Sequence, residues 1–193
     1  MTMDFSRTTG PTGLFEDQPA GFITDVNQHI TNPLTQLQPF EKIITVFRSQ
    51  SQIINELTRL QRSCVITLIS SEITSREVQN FVDNYLHPNP TVDSYYLLFP
   101  DSDSLHTQWT NRYDFRLKWC GPIGENFLRT VLAACSTTCA LMISYFERRA
   151  QQYESQGDIS LAYQCSIEIG KLLKIQRQYI DDYLQYLNSA STT

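Results

Sequence analysis

Glycine is scarce in this chain, with seven residues in 193, and proline, with eight, is nearly as scarce. That composition excludes collagen-like and elastic repeats. No Gly-rich phosphate loop is present, since Gly121 and Gly124 fit neither phosphate-binding spacing. Histidine is equally thin: His29, His87 and His106 are scattered, and none is paired with a cysteine. Charge is low at 18% and its balance is acidic, giving a net charge of −5 and a pI near 5.1. An acidic chain is poorly suited to tracking a phosphate backbone, so nucleic acid is not expected as a partner. Residues 1–20 carry Asp4, Glu16 and Asp17 and no continuous apolar block, so no secretory signal is read there. The longest uncharged stretch, residues 130–146, is slightly shorter than the roughly 20 residues of a bilayer span. Its apolar residues follow a stripe, which predicts a buried helix rather than a membrane segment. A membrane is therefore not expected as a partner either.

What is present suffices for a core. The chain is 41% hydrophobic and 11% aromatic, at a length typical of one domain. The five cysteines, Cys64, Cys120, Cys135, Cys139 and Cys165, are odd in number and mostly embedded in apolar stretches. They read as buried thiols of a reducing compartment, which makes a cytoplasmic location the expectation.

Along the chain, residues 1–21 read as a flexible lead-in and 22–193 as one globular domain. The latter divides into an α/β layer (22–120) and a helical hairpin (121–188). Phe22, Val26 and Ile30 recur at helical spacing, predicting a short helix that Pro33 ends. Phe40, Ile43, Ile44, Phe47, Ile54 and Leu57 predict one helix over 40–61. The β-branched run from Cys64 to Ile69 predicts a buried strand. Thr74 and Glu77 have capping-box spacing, and Val78, Phe81, Val82, Tyr85 and Leu86 follow on one helical face. Tyr95-Tyr96-Leu97-Leu98-Phe99 predicts a second strand. The alternation of Tyr113, Phe115, Leu117 and Trp119 with Asp114, Arg116 and Lys118 predicts a third, with its aromatics in the core.

Beyond Gly124 the period changes to that of paired helices. Leu128, Leu132, Cys135, Cys139, Met142, Phe146, Arg149 and Tyr153 form a heptad-like seam. Gly157-Asp158 breaks it, with Asp158 as the cap of a second helix whose seam is read as Ala162, Ser166, Ile169, Leu173, Ile180, Tyr183 and Leu187. The predicted class is thus α+β: a small three-stranded sheet with flanking helices and a long antiparallel C-terminal hairpin. An all-α bundle is the alternative.

Candidate chemistry is sparse. Trp119-Cys120-Gly121-Pro122 resembles the start of the thioredoxin active-site motif and is read between a strand and a helix, where helix amides would stabilise a thiolate. Ile123 stands where that motif has its second cysteine, and helices follow where that fold needs strands, so the family is not assigned. Cys120 is the candidate nucleophile, with His87 or His106 as conceivable partners. Cys135 and Cys139 lie four apart, but two further metal ligands are missing; they read as core, and no metal or cofactor is expected. Asp101 and Asp103 lack the Gly and Glu of a calcium loop. Asp181 and Asp182 read as a solvated helix surface. Tyr179, Tyr183 and Tyr186 share a face distinct from the Ile169/Leu173/Ile180 seam, and that face is the candidate interface.

Two apolar faces on one helix need two partners. With no catalytic constellation, the leading expectation is a non-enzymatic regulatory or adaptor protein acting through protein contacts, with a homodimer through the C-terminal helices as one form. The alternatives are a redox sensor or enzyme using Cys120, and a small-ligand sensor with its pocket between sheet and hairpin.

Overall fold

The computed structural model describes residues 18–25, 43–69, 75–99, 115–123 and 127–190, together with Leu37, Phe40, Thr110, Arg112 and Tyr113. Its centre is a five-stranded sheet, every strand parallel, in the order β2-β1-β3-β4-β5. The strands are β1 (Ala20–Asp25), β2 (Ile44–Phe47), β3 (Cys64–Ile69), β4 (Val92–Phe99) and β5 (Leu117–Pro122). This overturns both the three-stranded sheet and the all-α alternative: the class is α/β. The two missed strands are those that the periodicity placed in helices.

β1 lies between two parallel neighbours and is buried along its whole length, both faces included. A strand covered on both faces has no polar side to reveal period two. Phe22 is thus a strand residue, and Val26, Ile30 and Pro33 of the expected helix lie outside the described residues. Ile44-Thr45-Val46-Phe47 likewise forms edge strand β2, and only Gln50–Arg59 is helical (α1). Ser49 separates the two: its backbone is extended and its Oγ accepts from Gln52 N at 3.4 Å, capping α1.

β3 and β4 stand where the sequence puts strands. Between them runs α2 (Ser75–Phe81), which continues as a π-helical turn, Val82–Leu86. Thr74 of the expected capping box lies outside the described residues. At the other edge, β5 begins at Leu117, later than expected, and includes Gly121 and Pro122. A register shift between Tyr95 and Tyr96 sets Lys118 out of step with β4. The expected alternation is lost there: Phe115 precedes the strand and is 79% exposed, and Trp119 is 41% exposed. Of the expected core aromatics, Tyr113 packs against the main core.

α1 and α2 cover one face of the sheet through Ile53, Leu57, Val78, Phe81, Val82 and Leu86. Leu37 and Phe40, from the segment between β1 and β2, pack on the opposite face. The connections thus change face where the strand order reverses, between β1 and β3, as in a doubly wound sheet.

That opposite face holds the hairpin. α3 (Phe127–Ser155) lies across β1, β3 and β4, and α4 (Ile159–Ala190) packs on α3. Gly21 permits the close approach to the sheet: a Cβ there would sit 2.7 Å from Thr138 Oγ1. At the hairpin turn Gly157 has φ +78, Asp158 N donates to Tyr153 O (2.9 Å) and Gly157 N to Glu154 O (3.0 Å). This left-handed cap closes α3. Asp158 Oδ1 then accepts from Leu161 N (3.1 Å) and opens α4, as the sequence indicates.

The α3 seam holds from Leu132 to Phe146. The α4 seam is rotated by one residue toward Ala162, Cys165, Ile169, Leu172, Gln176 and Tyr179. Leu173 and Ile180, expected inside, are 51% and 53% exposed. Both stripes keep three–four spacing, so the sequence alone does not say which one meets α3.

The adjacent pair Leu172 and Leu173 tests this rotation. Leu172→Ala removes a fully packed side chain and is expected to cost about 2–4 kcal/mol of unfolding free energy. Leu173→Ala is expected to cost about 0.5 kcal/mol or less. Denaturant titrations of both variants in dilute solution check the contrast; equal costs would restore the original seam.

Candidate functional site

Three places bring chemistry-bearing or unpartnered side chains together. The first is the carboxyl end of β1, at the point where the doubly wound order reverses and where such sheets usually bind ligands. Asp25 is fully buried there, and Arg48, just after β2, places Nη1 2.8 Å from Asp25 Oδ2 and 3.3 Å from the Asp25 carbonyl. Arg48 N also donates to Gln52 Oε1 (2.9 Å) in α1. The pair ties the ends of β1 and β2 to the start of α1, which is a structural use of the charge. Beside it, Thr24 Oγ1 is buried without a hydrogen-bond partner among the described residues.

The second is a groove of about 270 Å³ between the β4–β5 edge and the first turns of α3. Tyr96, Lys118, Trp119, Arg129, Thr130 and Ala133 line it. The register shift at β5 produces it by leaving Trp119 on the surface. The indole lies over Gly121, where a Cβ would sit 3.0 Å from Trp119 Nε1. Lys118 Nζ stands 5.8 Å from the Phe115 ring centroid. Tyr96 Oη is 2.8 Å from Thr137 Oγ1, and burial raises its pKa above the usual tyrosine value. Two cations beside an indole and a phenol make this a local positive concavity on an acidic protein.

The third is the outer face of α4. Its inner face is used by α3 and by Phe40, whose ring meets Tyr179 edge-on at 6.0 Å. On the opposite side Ile159, Tyr163, Ile167, Leu173, Ile180 and Leu184 form a second apolar stripe, each between 42% and 67% exposed. Large exposed apolar side chains gathered on one face commonly mark a contact site, and here Arg177 and Asp181 stand among the six.

The residues singled out from the sequence are placed as follows. Tyr179 is half-buried on the inner face of α4, and the side chains of Tyr183 and Tyr186 lie outside the described residues. Cys120 sits within β5, not between strand and helix, and packs toward the α1–α2 core. Burial pushes its thiol up to about 12 from an ordinary 9.0, the reverse of helix-end activation. Burial likewise raises Cys64 and Cys139 to about 12, and Cys135 well above the ordinary value. Cys135, Cys139 and Cys165 are all buried in the core cluster that α3 and α4 share. No group of three His, Cys, Asp or Glu side chains suited to a metal occurs among the described residues.

Arg116 Nη2 donates to His87 O (2.7 Å) and stands 3.0 Å from His87 Nδ1, which must accept because a guanidinium only donates. The His87 ring also meets Tyr113 at 5.3 Å. Arg177 Nε lies 4.0 Å from Asp181 Oδ2; the Asp182 side chain, His29, His106, Asp101 and Asp103 lie outside the described residues. Sequence reasoning missed the groove, because the strand bulge that exposes Trp119 leaves no compositional trace. The surplus of apolar residues on α4 was legible in the sequence, but Leu173 and Ile180 of its exposed stripe were read as part of the inner seam.

No family model, curated protein or solved structure matches this chain.

The Cys120 geometry makes a kinetic prediction. With its thiol held protonated, Cys120 in the native protein is expected to react with iodoacetamide at pH 8 more than about a hundredfold slower than free cysteine, with a rate still rising above pH 10. Mass-resolved alkylation checks this; fast labelling of Cys120 near neutral pH would restore the nucleophile.

Proposed function

We propose that this protein is a cytoplasmic, non-enzymatic interaction module. The doubly wound domain holds out a two-helix hairpin, and the outer stripe of α4 is the surface that meets a protein partner. The observation carrying this reading is the stripe itself: six large apolar side chains, Ile159 to Leu184, on the side of α4 away from α3. Their burial by a partner would be favourable without any rearrangement of the core, because the inner face of α4 is already satisfied. The thiol alternative is disfavoured by the position and high pKa of Cys120.

One further observation favours a second reading, a sensor of a small anionic ligand. The groove of Tyr96, Lys118, Trp119 and Arg129 offers positive charge and aromatic faces in one concavity between sheet and hairpin. Native mass spectrometry of the purified protein would then reveal a retained anion, lost in Arg129→Ala. An empty wild-type protein, or a ligand retained equally by the variant, would count against that reading.

The leading reading is tested by comparative affinity capture from the cells that make the protein. Wild type and Cys120→Ser are expected to retain the same protein, and the Ile167→Glu/Leu173→Glu variant to lose it. Unchanged thermal melting would show that this variant is folded. Equal retention by the double variant would remove the stripe from the function.

A further inference from the structure

The outer stripe of α4 has an internal symmetry that selects its occupant. Taking the level between Lys171 and Leu172 as a centre and reversing the helix brings Ile159 onto Leu184, Tyr163 onto Ile180 and Gly170 onto Leu173. We propose that the stripe is covered by the same stripe of a second copy, the two α4 helices lying antiparallel about a two-fold axis at that level. This rests on reading the stripe as a contact surface, and adds to it the identity and register of the partner.

Three observations carry the pairing. At the centre, Gly170 faces open space, with nothing within 4 Å of the position a Cβ would take. It leaves a hole, and the two-fold axis sets Leu173 of the other copy, itself 51% exposed, opposite that hole. Each copy supplies one knob and one hole, so the contact occurs twice across the axis, as an isologous interface requires.

The charge of Arg177 also fits this direction. A parallel pair in register would set Arg177 level with its own twin and repel. In the antiparallel register Arg177 is level with Ser166 and stands about 16 Å along the axis from its twin. It already has Asp181 Oδ2 at 4.0 Å.

The extent is sufficient for a reversible dimer. From Ile159 to Leu184 the stripe runs about 38 Å along the helix. Its six side chains and their flanks offer on the order of 600 Å² per copy, which totals the lower edge of a standard interface of about 1,200–2,000 Å². A dissociation constant on the order of micromolar follows for such a surface.

Sedimentation of the full-length chain from about 1 to 200 μM is expected to show a monomer–dimer equilibrium spanning that micromolar constant. Leu173→Glu, or Gly170→Gln to fill the hole, is expected to weaken it by about tenfold or more. Register is read by cross-linking. Tyr163→Cys and Ile180→Cys singly should not cross-link with themselves, because like positions would stand about 26 Å apart along the axis. Mixed together, the two variants should form a disulfide-linked heterodimer. A monomer at every concentration, a dimer indifferent to both central substitutions, or self-cross-linking of Tyr163→Cys would each overturn the proposal. A monomeric wild type whose Ile167→Glu/Leu173→Glu variant still loses a cellular partner would end self-pairing and leave the interaction reading standing. A monomer that loses no partner on the same substitution would end both.

Discussion

Helix α3 is covered twice, and the rest of the architecture is arranged around that need. Between Thr130 and Phe146 only Ala140 and Ser144 are exposed. Its sheet side is built from small and hydroxyl-bearing residues, Thr130, Ala134 and Thr138, which let it settle closely over Gly21. Its other side carries Cys139, Met142 and Phe146, whose burial needs a second layer. α4 supplies that layer. Because α3 occupies the sheet, α4 packs outside it, with one long face satisfied and the other turned outward.

The interior that results is poor in chemistry. Thr137 and Thr138 on α3 donate their hydroxyls within their own helix, Thr137 Oγ1 to Ala133 O (3.0 Å) and Thr138 Oγ1 to Ala134 O (2.9 Å). The thiols are protonated by burial and act as small apolar groups. The one fully buried carboxylate, among the described residues, is Asp25, and Arg48 holds it. Among the described residues, apolar or charged groups gather at the surface along the α4 stripe and in the Trp119 groove.

Legibility in the sequence followed solvent exposure. The hairpin was readable because a helix pair with one wet side writes its period into the chain: Leu132 to Phe146, then Gly157 and Asp158 at the break. β3 and β4 were readable because a short β-branched or aromatic run is too brief for a helix. β1 was not, since a strand buried on both faces has no alternation. β2 was masked because Ile43, Ile44 and Phe47 happen to continue the stripe of α1. The groove was invisible for a different reason: a one-residue slip between β4 and β5 decides whether Trp119 is core or surface, and register is set by pairing, not by composition.

The sequence by itself determined that this chain has apolar residues enough to bury, thiols, aliphatics and aromatics among them, and that it carries two long helices with more apolar surface than one contact between them can hide. Only the tertiary structure decided the five-stranded parallel order and the side of α4 that turns inward. The reason is geometric: parallel pairing joins segments far apart in the chain, and two apolar stripes of equal spacing on one helix are distinguished only by which of them another element covers.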